Sequence, residues 1–74
     1  MKQLCFASNL KQLRASGGKY NKKLSQAEIA KATGIARSMI SDYENGIKEP
    51  TLSALDAIAK YFDITLEELV YGKK

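Results

Sequence analysis

Seventy-four residues, 45% apolar and 27% charged, fit one small soluble globular domain whose folding buries roughly 60% of the unfolded surface. With no histidine and one cysteine, the chain lacks the parts of a catalytic triad, a Cys/His zinc site or a disulfide framework. That counts against an enzyme, gives no reason to expect a metal, cofactor or small-molecule ligand, and fits a reducing cytoplasm. The net charge of +4 is polarised: residues 1–24 hold Lys2, Lys11, Arg14, Lys19, Lys22 and Lys23 with no acid, which suggests a polyanionic partner, nucleic acid before membrane.

No apolar run approaches the ~20 residues that span a bilayer, and the opening stretch turns polar too early for a signal peptide. Strand-like alternation is missing, so the chain reads as helical throughout. Phe6, Leu10 and Leu13 recur at helical spacing and predict a first helix over about 4–15, with Cys5 as an ordinary apolar helix residue. Gly17 and Gly18 stop it, and Ala15 to Lys23 reads as a flexible basic loop in which Tyr20 has no evident role. Ser25-Gln26-Ala27-Glu28 is a capping box that opens a second helix over 26–33, ended by Gly34 in the left-handed conformation. A third helix is expected over 37–45, closed by Asn45-Gly46. Pro50 forbids continuation, and Thr51 caps a fourth helix over 52–62 whose Leu52, Leu55, Ile58, Ala59 and Phe62 fall on one stripe. Thr65 to Glu68 is a second capping box and opens a fifth helix over 66–71. The whole of 1–74 is one all-α domain, a five-helix bundle.

The segment Gln26 to Asn45 has the layout of a helix-turn-helix, two short helices joined by Gly34-Ile35-Ala36. Ala30 must be small because the helices cross closely there, and Gly34 supplies the positive φ of the turn. Ile29, Ile35, Ile40 and Tyr43 provide the apolar surface that locks the pair, Tyr43 with its hydroxyl at the edge. On the opposite face of the third helix lie Arg37, Ser38, Ser41 and Asp42. Arginine suits bidentate donation to guanine, serine either kind of base edge, and aspartate acceptance from cytosine N4. An intrahelical hydrogen bond to Ser38 is the competing role for Asp42, and Met39 reads as a partly exposed helix residue. The capped start of the second helix favours a phosphate.

Leu24-Ser25-Gln26, Ile40-Ser41 with Glu44-Asn45-Gly46, and Pro50-Thr51-Leu52 resemble the phage-repressor/Cro-like (XRE-type) helix-turn-helix family, over about Leu10 to Val70. The resemblance implies a lambda-repressor-like five-helix fold, dimeric binding to inverted-repeat operators in double-stranded DNA, and transcriptional control, usually repression. By position it implies that Gln26 bonds a phosphate while its amide steadies the start of the recognition helix. It also implies base contacts from Arg37, Ser38, Ser41 and Asp42, and backbone contacts from Asn45 and Lys48. Arg14 and Glu44 match a structural buried ion pair. The chain departs from the family in two places: Ala36 stands where a Ser or Thr cap is common, and the loop between Arg14 and Ser25 is longer. That loop brings Lys22 and Lys23, with Lys19, toward the phosphates. Ile64, Leu66, Leu69, Val70 and Tyr71 exceed what a two-turn helix can bury and suggest a homodimer surface. The alternative is an antitoxin-like interaction module that uses the same fold to hold another protein.

Overall fold

The computed structural model describes residues 6–72. Among them run five α-helices and no strand: α1 (Phe6–Ser16), α2 (Gln26–Thr33), α3 (Arg37–Glu44), α4 (Leu52–Phe62) and α5 (Leu66–Tyr71), with a 3-10 turn at Gly18–Tyr20. The expected start of the first helix at residue 4 and the placement of Cys5 lie outside the described residues. Asn45, expected as the last residue of the third helix, is its C-cap: its N–H donates to the Ser41 carbonyl at 3.0 Å, and the following Gly46 N–H donates to the Tyr43 carbonyl at 3.2 Å.

Both expected capping boxes are formed. The Ser25 hydroxyl accepts from the Glu28 N–H at 3.0 Å while the Glu28 carboxylate accepts from the Ser25 N–H at 3.0 Å. Thr65 and Glu68 repeat the arrangement at α5, and the Thr51 hydroxyl caps α4 by accepting from the Ala54 N–H. Each box satisfies two donors that a helix start otherwise leaves open, which fixes where these helices begin.

The core draws on every helix. Phe6 and Leu10 of α1, Ile29 of α2, Ile40 and Tyr43 of α3, Ala54, Ile58, Ala59 and Phe62 of α4, Leu69 of α5 and the interhelical Leu24 are buried. Helix α1 packs on α3 and α5, α2 packs on α3 and α4, and Phe6 meets the Tyr43 ring edge-on at 5.7 Å. Two apolar expectations are corrected. Leu52, placed on the buried stripe of α4, is 71% exposed, because the first residue of that helix lies beyond the end of the core. Leu69, assigned to an exposed dimer surface, is fully buried, because α1 covers α5 and Asn9 donates to the Leu69 carbonyl at 2.9 Å.

The loop expected to be flexible is instead tied down. Tyr20 and Asn21 donate to the carbonyls of Gly17 and Gly18, and the Leu24 N–H donates to the Arg14 carbonyl at 2.8 Å. Tyr20 stacks on Tyr61 of α4, and its hydroxyl donates to the Tyr61 carbonyl at 2.8 Å.

Candidate nucleic-acid interface

The α2–α3 pair is held at the angle its turn dictates. Gly34 at φ +77 ends α2 by donating its N–H to the Ala30 carbonyl at 2.9 Å, a conformation that a side chain would strain. Buried Ile29 and Ile40 and half-buried Ile35 pack the pair onto α4 and α1. The start of α3 carries no side-chain cap: Ala36 closes the turn only through its carbonyl, which accepts from Met39 and Ile40.

The far end of α3 is anchored by charge. Arg14 of α1 grips the Glu44 carboxylate at two points, Nε to Oε2 at 2.6 Å and Nη2 to Oε1 at 2.9 Å, and Glu44 is 4% exposed. The hydrogen bonds to Glu44 are the main reason the guanidinium titrates above its ordinary value. Gln26 joins this clamp, its Nε2 donating to Glu44 Oε1 at 3.1 Å. Its amide was expected to steady the start of the recognition helix; it holds the end instead. The physical reason is that Glu44 is a buried anion with acceptor capacity left over from Arg14, while Ala36 offers no side-chain group to meet an amide.

The outer face of α3 is only partly left to solvent. Arg37 and Ser38 are exposed, and neither side chain makes a hydrogen bond or ion pair with another described residue. Ser41 is half-buried, and its Oγ accepts from Asn45 Nδ2 at 3.4 Å. Asp42 does not bond Ser38. Its Oδ2 lies 3.9 Å from the Lys48 ammonium, which also donates to Met39 Sδ at 3.7 Å. Lys48 therefore sits over the recognition face as a counter-charge to Asp42. Ile47, whose N–H donates to the Asp42 carbonyl at 2.9 Å, is 68% exposed, an apolar neighbour that its position after Asn45-Gly46 does not announce.

The loop lysines divide. Lys23 lines an open groove of about 520 Å³ together with Ser25, Gln26 and Arg37. Lys22 lies 3.8 Å from Glu28 in the first turn of α2. Lys19 instead lies over the Tyr20 ring at 5.4 Å and lines a separate groove beside Phe62 and Ile64. Lys23, Gln26 and Arg37 thus share one groove at the start of α2 with Lys22 beside it on Glu28, Asn45 and Lys48 lie by Ser41 and Asp42 farther along α3, and Lys19 belongs to neither group. Among the described residues there is no cluster of potential metal ligands and no helix long and apolar enough to cross a membrane.

A short helix with exposed Arg37 and Ser38 and half-buried Ser41 and Asp42 on its outer face, buttressed by a second helix and flanked by lysines, defines a helix-turn-helix DNA-binding domain. A helix-turn-helix family model (HTH_3) matches residues 10–69, and the chain belongs to that family. It is 33% identical over 69 residues to the transcriptional activator BcrR of Enterococcus faecalis, covering 93% of this chain and 31% of that protein. It is 29% identical to the cryptic phage CTXphi transcriptional repressor RstR of Vibrio cholerae, covering 88% of this chain and 54% of that one. The chain therefore spans about a third to a half of these relatives. Among solved structures, the restriction-modification controller protein C.AhdI from Aeromonas hydrophila superposes with a TM-score of 0.75 at 31% identity, covering 86% of this chain and 89% of that one. A transcriptional regulator from Listeria innocua superposes at 0.78 with 29% identity, covering 92% and 59%. These relatives are regulators of transcription, not enzymes.

Proposed function

We propose that this chain is a sequence-specific, DNA-binding transcriptional regulator that lays α3 in the major groove of an inverted-repeat operator, as a homodimer, and represses. One observation carries the reading: Arg37 and Ser38 stand exposed on the outer face of a helix whose inner face and far end are rigidly held. Arg37 would donate to guanine O6 and N7, Ser38 and Ser41 to nearby base edges, and Asp42 would accept from cytosine N4. Gln26, Asn45, Lys48, Lys22 and Lys23 would hold the phosphates, and a cytoplasmic site on the nucleoid follows from that role. Repression is favoured by the likeness to a phage repressor, although an activator is also among the relatives.

The experiment is selection from a random-sequence duplex pool followed by sequencing. Enriched, two-fold-symmetric sites support the regulator. Salt-sensitive binding without enrichment contradicts it and favours a module that serves another protein.

A further inference from the structure

The loop between α1 and α2 is held by contacts that neither the core nor the helix-turn-helix requires. Tyr20 stacks on Tyr61 at 4.8 Å between ring centroids and 27° between planes, meets Phe62 edge-on at 6.4 Å, and donates its hydroxyl to the Tyr61 carbonyl. At the start of the loop Gly17, at φ +80, runs so close to Lys22 that any Cβ would overlap the Lys22 carbonyl oxygen. At its end Leu24 is bonded back to α1 through the Arg14 carbonyl. Tyr20 stays 38% exposed, so burial alone does not account for an aromatic ring there. What the three anchors fix is the path between Tyr20 and Leu24, and the charged residues on that path are Lys22 and Lys23.

We infer that Tyr20 is a positioning residue for DNA binding: latched onto Tyr61, it holds Lys22 and Lys23 beside the groove that Arg37 lines, as phosphate contacts ordered before the DNA arrives. The inference rests on the DNA-binding reading above. Its physical basis is pre-organisation. A free loop would have to be ordered on association, a cost that two screened lysine–phosphate contacts do not repay, so an unlatched loop leaves those contacts unmade, whereas this one is ordered on folding. Lys19 instead lies over the Tyr20 ring and lines a groove that includes neither Lys23 nor Arg37, so two of the three loop lysines serve the interface.

The test is the slope of log affinity against log salt, measured on a selected site and on a random duplex. Each phosphate contact contributes about 0.9 to that slope. Replacing Lys22 and Lys23 together by Gln flattens it by about 1–2 units on both duplexes. Tyr20→Ala flattens it by a similar amount with the preferred sequence unchanged, Tyr20→Phe retains most of the wild-type slope, and the lysine pair has little further effect in the Tyr20→Ala background. Tyr20→Leu, which keeps an apolar cap on Phe62 but lacks the stack and the hydroxyl, behaves as Tyr20→Ala and serves where alanine lowers the melting temperature. A wild-type slope in Tyr20→Ala or Tyr20→Leu, or lysine and tyrosine effects that simply add, overturns the latch. Wild-type protein that binds neither duplex overturns the DNA-binding reading itself, a separate result.

Discussion

Arg14 and Glu44, 30 residues apart, form a two-point ion pair in which the Glu44 side chain is 2% exposed and the Arg14 side chain 23%. The pair joins α1 to the last turn of α3, and Gln26 adds α2 to the same oxygen. The asymmetry of burial decides which partner is worse to lose. Arg14→Ala strands a buried carboxylate and costs about 3–5 kcal/mol, whereas Glu44→Ala leaves a guanidinium that reaches solvent and costs less. Urea unfolding of the two variants measures both, and a cost for Arg14→Ala below that of Glu44→Ala contradicts the account.

Acid should weaken the start of α2. The Ser25 N–H holds the Glu28 carboxyl below the ordinary glutamate value against the opposing effect of burial, and the Lys22 charge adds to the lowering. A depressed folded value means the capping box contributes its stability above the unfolded glutamate range and loses it as pH falls through the folded value. A carboxyl ¹³C titration of Glu28 by NMR should therefore give a midpoint below that of a model glutamate, and Glu28→Gln should remove the associated pH dependence of α2 protection. A midpoint at or above the model value means that the box is not formed in solution.

Asp42 and Lys48 face each other at 3.9 Å, so a carboxylate that would repel phosphates carries its own counter-charge. Asp42→Asn removes the repulsion and frees Lys48. Affinity for random duplex should rise, while discrimination at one base position of each half-site falls by about 1–3 kcal/mol. Competition binding on single-base variants of the selected site reads both effects. Unchanged discrimination would show that Asp42 reads no base.

With Leu69 buried, the candidate dimer surface contracts to Leu66 and Tyr71, 38% and 40% exposed, with half-buried Ile64 and Val70 beside them. Leu66→Asp should convert a two-to-one complex on the selected site to one-to-one and weaken binding to the full site far more than to a half-site. Sedimentation of the protein–DNA complex checks this. Wild-type protein that binds singly, or Leu66→Asp protein that still binds in pairs, contradicts a dimer through this face.

What the sequence made legible was local. Ser25 with Glu28, Thr65 with Glu68, and Gly34 between two apolar runs each act within a few residues, and they set the helix starts and the central turn. The stripe rule failed at Leu52 and the excess-apolar argument failed at Leu69, because periodicity ranks faces without saying where a core ends or which neighbour covers a helix. Tyr20 was opaque because its partner is 41 residues away and the contact is a ring stack with one hydroxyl bond, which leaves no periodic trace. Gln26 was placed on the right helix, but its partner Glu44 is a group that three-dimensional packing alone brings near.

The central claim is that α3 reads bases through Arg37, and binding of Arg37→Ala to two duplexes tests it most directly. Arg37 is exposed and engages no other described side chain, so its removal should leave the melting temperature within error of wild type. On the selected site the variant should lose about 1–3 kcal/mol, with preference relaxed at one position in each half-site, while random duplex loses no more than one phosphate contact's worth of affinity. An equal loss on both duplexes, with the preferred sequence intact, would make Arg37 a phosphate contact and contradict the account.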